Sequence, residues 1–239
     1  MRTIMLLNAK GGSGKSTLAT NLAAYYAAQG RSVVLADFDP QGSSLAWLGV
    51  RPQERPPIRG VAAFRESPRV APDTDYVIMD APSGRHGTHL VSLVRYAQTI
   101  IVPVLPSPMD IRAATQFIDE ICRVGPVARP VIEDKALGLD SIMAFLGRLL
   151  ATSDMSSAPR VAVVANRVRE NTLAYDALYE FLDRLKVPFL TTLRDTQNYI
   201  QAAERGLGLF ELAPSLVAYD LELWQPLIEW LNSKRSLPK

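Results

Sequence analysis

The sequence predicts an α/β fold, a mostly parallel twisted sheet flanked by helices on both faces. Two observations predict it. Short continuous apolar runs at residues 32–37 (SVVLAD), 76–80 (YVIMD) and 99–105 (TIIVPVL) are of the kind buried on both sides in parallel sheets. Amphipathic segments at helical spacing lie between them, and such alternation implies parallel pairing with right-handed crossovers. A chain of 239 residues, 48% of them hydrophobic, carries enough apolar surface to bury that sheet as a single domain over 1–239.

Residues 2–8 are apolar and strand-like, a glycine loop follows, and residues 16–29 place Leu18, Leu22, Tyr25 and Tyr26 at helical spacing. Gly30 is positioned as the C-terminal cap of that helix, and residues 32–37 complete a β-α-β unit. Residues 51–60 (RPQERPPIRG) lack periodicity and predict a loop, with a short helix at 61–66. Strands are expected at 76–80 and 99–105, the latter ended by Pro106 and Pro108. Asp110 is expected to cap the next helix, whose Ile111, Ala114, Ile118 and Ile121 share a face. A loop at 125–135, a helix at 136–152, polar turns at 152–159 and a strand at 160–165 follow. A helix at 172–185 and a short strand at 188–193 come next, then a last helix at 214–231, interrupted or kinked at Pro226.

Composition narrows the functional classes. The five or six apolar residues before the glycine loop are too few for a signal-peptide core or a membrane span, so a cytoplasmic setting is expected. Cys122 is alone, which excludes an internal disulfide, and the residue is expected as a small buried apolar group. A formal charge of +2 neither demands nor excludes nucleic acid, because the arginines are dispersed. His86 and His89 have no cysteine or third histidine to complete a metal site and are expected as exposed loop residues.

The chemistry concentrates in Lys10-Gly11-Gly12-Ser13-Gly14-Lys15-Ser16-Thr17, set between a strand and a helix. A phosphate chain needs several N–H donors converging where no side chain intrudes, and a glycine loop opening onto a helix N-terminus supplies them. In such a P-loop Lys15 contacts the β- and γ-phosphates, and the Ser16 hydroxyl ligates Mg²⁺. ATP with Mg²⁺ is therefore the expected ligand. The pattern departs from G-x-x-x-x-G-K-[ST] by having Ala9 in place of the first glycine and by adding Lys10.

With that departure, KGGSGKST resembles the deviant Walker A box of the ParA/MinD family of P-loop ATPases. The resemblance implies that Lys10 reaches across an ATP-dependent sandwich homodimer to the partner's phosphates. A cation arriving only on dimerisation couples occupancy to association and stabilises charge on the transferred group. Asp37-Phe38-Asp39-Pro40-Gln41-Gly42 looks like the family's second acidic motif. Asp39 matches the residue that aligns the attacking water, and Asp37 the one that supports magnesium hydration; the alternative for either one, though not for both, is a cap on the next helix. Asp80 matches the Walker B aspartate, although Ala81-Pro82-Ser83-Gly84 departs from the family's usual following residues. Residues 102–110 (VPVLPSPMD) resemble a P-x-x-P-S-P-x-D segment of short partition ATPases that lack an N-terminal DNA-reading domain. Asn166 matches an adenine-reading asparagine, with Arg167 beside it.

The resemblance spans nearly the whole chain, and residues 125–159 are longer than the compact members need. It implies weak intrinsic ATP hydrolysis, sequence-independent DNA contact and nucleoid association in the ATP-bound state. It also implies a ParB-like or other cargo adaptor that stimulates hydrolysis, the cargo being a plasmid, a chromosome region or a protein assembly such as a carboxysome. Arg167, Arg169, Arg194 and Arg205 are the candidate phosphate contacts on DNA. Three other classes compete. A MinD-like membrane ATPase would use Trp224, Leu227, Ile228, Trp230 and Leu231 of the tail, against which stand Glu222, Glu229 and Pro226. An iron-sulfur electron carrier lacks its cysteines, and a metabolic ligase or kinase leaves Lys10 without a purpose.

Overall fold

The computed structural model describes residues 1–65, 70–124, 158–169, 178, 180–182 and 184–238. Seven strands form one sheet: β1 (Arg2–Leu6), β2 (Val33–Asp37), β3 (Arg59–Ala62), β4 (Tyr76–Asp80), β5 (Thr99–Val104), β6 (Arg160–Val168) and β7 (Phe189–Arg194). Their order is β3-β2-β4-β1-β5-β6-β7, and every pairing is parallel. The expected helices α1 (Lys15–Ala28) and α4 (Pro108–Val124) are present. So are α2 (Ser43–Gly49), α3 (Gly87–Val94), α5 (Gln197–Glu204) and α6 (Pro214–Asn232).

Strand periodicity splits the core into two. Met5, Leu7, Val34, Ala36 and Val77 face one layer, where Leu90 and Val94 of α3 and Phe117, Ile118 and Ile121 of α4 cover them. Ile4, Leu6, Leu35 and Ile78 face the other, filled by Leu18 and Leu22 of α1, Trp47 of α2 and Trp224, Leu227 and Ile228 of α6. All polar groups at the carboxyl ends of the central strands therefore emerge at one rim, between the two helical layers. That rim is where β1 opens into the glycine loop.

Several expectations need correction. Residues 59–62 are an edge strand rather than loop and helix. Gly60 allows it, since a Cβ there would stand 2.7 and 2.9 Å from Leu48 and Leu45 of α2, a close approach that composition alone does not display. The α4 cap is Ser107, whose hydroxyl accepts from the Asp110 backbone N–H at 3.2 Å. Pro108 opens the helix, and Asp110 sits in its first turn. α6 runs unbroken from Pro214 to Asn232 through Pro226, which faces solvent. Cys122 is exposed, because the buried stripe of α4 is Ala114, Phe117, Ile118 and Ile121 and the next residue is rotated off it. His89 belongs to α3 rather than to a loop, while His86 precedes that helix and bonds Glu120 of α4 at 2.8 Å.

Other elements match. Gly30 follows α1 with φ +72°, as a left-handed cap requires. β6 begins as expected and continues to Val168. The expected loop at 125–135 and helix at 136–152 lie outside the described residues. Of the expected helix at 172–185, residues 178 and 180–182 are described and helical, whereas 184 and 185 are described and lie beyond its end.

Candidate nucleotide site

A cleft of about 820 Å³ opens at the carboxyl rim of the sheet. Its phosphate end is the loop between β1 and α1, where Gly12 and Gly14 adopt φ +75° and +94°, conformations that only glycine takes without strain. Gly14 ends the loop directly at the first turn of α1, so the helix N-terminus faces the cleft. Lys15 is 7% exposed, and its ammonium donates to the Lys10 carbonyl at 3.3 Å, curling back over the loop. Burial pulls the Lys15 pKa down, and Asp80 and Asp39 oppose that shift. Asn8 braces the loop from below, donating to the Pro103 carbonyl at 2.6 Å and accepting from the Lys10 N–H at 3.3 Å.

The acidic side is carried by the ends of β2 and β4. Asp80 is 1% exposed, and burial raises its pKa to about 7; the Ser16 hydroxyl opposes that rise, Asp37 adds to it and Lys15 opposes it. One Asp80 oxygen, Oδ2, is buried and has no hydrogen-bond partner among the described residues. An orphaned carboxylate oxygen beside Ser16, in the first turn of α1, is what a hydrated divalent cation would satisfy, so Ser16 and Asp80 fit the expected Mg²⁺. Asp37 is fully buried and acts locally. Its Oδ1 accepts from the Asp39 N–H at 2.9 Å, and its Oδ2 from the Ser44 N–H and hydroxyl at 3.1 and 2.8 Å. It therefore anchors the turn that carries Asp39 and caps the first turn of α2. Asp39 itself is half-buried and lines the cleft opposite Lys15.

Lys10 does not line this cleft. Its ammonium lies 3.0 Å from Asp110 Oδ1 with the side chain 39% exposed, so within one protomer it is turned toward α4 rather than its own phosphate site. The two lysines of the loop thus point to different places.

The far end of the cleft is built by the ends of β6 and β7 and the start of α5. Asn166 is buried and donates to the Ser13 carbonyl at 2.8 Å, bonding the P-loop backbone directly. Gly14 is obligatory here for a second reason, since a Cβ would fall 2.1 Å from the Asn166 amide. Arg167 holds φ +55°, the one positive value outside glycine among the described residues, at a bulge where the β6–β7 register shifts. Arg167 and Arg169 both line the cleft and both meet Asp195, at 3.4 and 2.7 Å. Thr196, Gln197, Tyr199 and Ile200 complete this wall.

Of the four candidate DNA arginines, two thus belong to the cleft wall. Arg194 is bound by the buried Asp220 at 2.5 Å, and Arg205 is exposed with no ion pair among the described residues. Asp195, Thr196, Gln197, Tyr199 and Ser83 were not anticipated from the sequence. The detectable signal was Thr196, whose side chain caps α5 by accepting from the Asn198 N–H, followed by a helical run closed by Gly206.

Known proteins resemble this chain in sequence and in fold. The maintenance of carboxysome distribution protein A of Halothiobacillus neapolitanus is 28% identical over 219 residues, covering 88% of this chain and 87% of that protein. The chromosome-partitioning ATPase Soj of Thermus thermophilus is 57% identical over 51 residues, 21% of this chain and 20% of Soj. Among solved structures, the apo McdA of Cyanothece superposes with a TM-score of 0.64 at 18% identity, covering 97% of this chain and 100% of that one, which speaks for the fold. Residues 4–210 match the CobQ/CobB/MinD/ParA nucleotide binding domain, and the chain belongs to that family.

Proposed function

We propose that this chain is an ATP-dependent positioning ATPase of the ParA type, working as one domain that dimerises over bound Mg-ATP. The observation that carries this is the divergence of the two loop lysines. Lys15 folds over its own phosphate site, whereas Lys10 is directed away from it and half-open to solvent. A cation placed to serve a neighbour's nucleotide makes association depend on ATP. A metabolic ligase or kinase would give that residue no task.

In this scheme Lys15 and the loop N–H groups hold the phosphates, and Lys10 exchanges Asp110 for the partner's phosphates. Ser16 and Asp80 hold magnesium, which supplies charge neutralisation on the phosphate oxygens. Asp37 fixes the turn, and Asp39 orients the water that attacks the terminal phosphate. Asn166, Arg167, Arg169 and Tyr199 enclose the base end. Hydrolysis is slow in isolation and is stimulated by a ParB-like or other cargo adaptor. The similarity to a carboxysome-distribution protein over most of both chains supports a protein assembly as cargo, with partition of DNA as the related task.

The ATP-bound dimer binds DNA without sequence preference, through phosphate contacts that weaken with salt, in the cytoplasm and on the nucleoid. Arg205 is the best-placed of the four arginines for this role. The membrane alternative loses its main support in α6, whose Trp224, Leu227, Trp230 and Leu231 are buried against the sheet. No helix among the described residues is long and apolar enough to cross a membrane.

The test is DNA binding with ATP, ADP and no nucleotide, for the wild type, Lys15→Ala and Asp39→Ala. Lys15→Ala is expected to lose both the dimer and DNA binding, and Asp39→Ala to remain trapped on DNA with ATP. Binding that ignores nucleotide in every variant contradicts the proposal.

A further inference from the structure

A second concavity lies at the opposite end of the sheet, where β6 and β7 begin. It has a volume of about 650 Å³ and an apolar floor of half-buried Phe189 and Leu190 beside the buried Trp230. Among the described residues three cations stand around it, Arg160, Lys234 and Arg235, against a single carboxylate, Glu229, whose Oε1 already accepts from the Gln225 amide at 2.8 Å. Nothing in the nucleotide chemistry uses these residues.

The turn that carries two of the cations is held with unusual firmness for a surface feature. Ser233 caps it by accepting from the Arg235 N–H, and its hydroxyl donates to the Trp230 carbonyl at 2.8 Å. Ser236 is fully buried; its hydroxyl donates to the Leu231 carbonyl at 2.8 Å and accepts from the Arg2 guanidinium at 3.0 Å. The Ser236 carbonyl accepts from the Thr99 hydroxyl at 2.6 Å, and the Leu237 carbonyl from Arg160 Nε at 3.1 Å. These bonds fix the backbone while leaving Lys234 and Arg235 exposed at the rim of the groove. Cations on a fixed turn lose little backbone freedom on binding, which is the condition for a preorganised contact.

We propose that this groove is a docking site for an acidic segment of a partner protein that carries an apolar anchor side chain. The cationic rim selects carboxylates, and the apolar floor requires a side chain to cover it. Duplex DNA would neutralise the rim and leave the floor wet. A bilayer is too flat to enter the concavity. Because the groove opens at the amino ends of the strands and the nucleotide cleft at their carboxyl ends, both are accessible at once.

The experiment uses the full chain without nucleotide, so its failure leaves the ATPase proposal untouched. Fluorescence anisotropy follows a labelled Asp/Glu peptide with a central Phe, the same peptide with Ala in place of Phe, and a Lys/Arg peptide with the Phe retained. Duplex DNA and phosphatidylglycerol vesicles form two further arms. The Asp/Glu/Phe peptide is expected to bind saturably, and to weaken about tenfold both when Phe is replaced and when the protein carries Lys234→Glu with Arg235→Glu. The charge-reversed protein is expected to gain binding to the basic Phe peptide, which also shows that it is folded. Absence of saturable binding, indifference to the charge reversal, or dependence of only DNA or vesicle binding on Lys234 and Arg235 overturns the proposal.

Discussion

The two ends of the nucleotide cleft are built on opposite principles. At the phosphate end the working groups are buried and locally encoded. Lys15, Asp37 and Asp80 are each under a tenth exposed and come from the start of α1 and the ends of neighbouring strands. At the base end Arg167 and Arg169 are largely open, Asp195 is half-buried, and the three meet only because β6 and β7 pair across some twenty-five residues of intervening chain. The charge at the first end is strongly coupled to folding, whereas at the second solvent screens it. Perturbing the phosphate end should therefore change stability and binding together, and perturbing the base end should mainly tune affinity.

The largest effect is expected at Asp80. The unfolded chain releases this proton near the ordinary value of 3.8 and the folded chain near 7. Between those values the folded state holds more protons, so the group's contribution to stability is present at low pH and is lost as pH rises through about 7. Asp80→Asn should remove that loss and stabilise the nucleotide-free protein at pH 8 by about 2–4 kcal/mol, measured by urea denaturation. The same change should abolish magnesium-dependent nucleotide binding. Wild-type affinity for Mg-nucleotide should rise with pH through the same interval as the carboxylate ionises. An Asp80→Asn protein no more stable than wild type would break the contrast between the two ends.

Gly14 joins the two regions, because its missing side chain makes room for the Asn166 amide. Gly14→Ala combines a left-handed backbone with a steric clash and should destabilise the protein by about 1–3 kcal/mol. Adding Asn166→Ala should restore part of that loss, since the clash goes and the backbone strain stays. Full recovery in a thermal melt, or none, would contradict the coupling. The smallest effect is expected at Asp195. Asp195→Asn releases Arg167 and Arg169 and should shift ATP affinity by about threefold or less, with a salt dependence absent from Asp80 variants.

The same contrast explains what was legible in the sequence. The P-loop, both acidic motifs and the strands that carry them are contiguous patterns whose geometry follows from strand and helix periods. Which of the two aspartates caps the next helix, and what Asn166 holds, were less visible. Asp37 is the cap on α2, and Asn166 bonds a backbone carbonyl more than a hundred and fifty positions away. Asp195 and Tyr199 escaped notice because the short helix α5 is amphipathic over only two turns, and its place on the cleft depends on the β6–β7 register. The edge strand β3 was hidden by its shortness and by the proline- and arginine-rich stretch before it, and the packing of α2 against Gly60 explains it.

The most direct test of ATP-dependent pairing concerns Lys10. Sedimentation velocity with a non-hydrolysable ATP analogue and Mg²⁺ should give a dimer for the wild type, and a monomer that still binds nucleotide for Lys10→Ala. Asp110→Asn, which removes the carboxylate 3.0 Å from the Lys10 ammonium, should dimerise at lower nucleotide concentration than wild type. A wild type that stays monomeric with saturating analogue, or a Lys10→Ala protein that dimerises as well as the wild type, would contradict it.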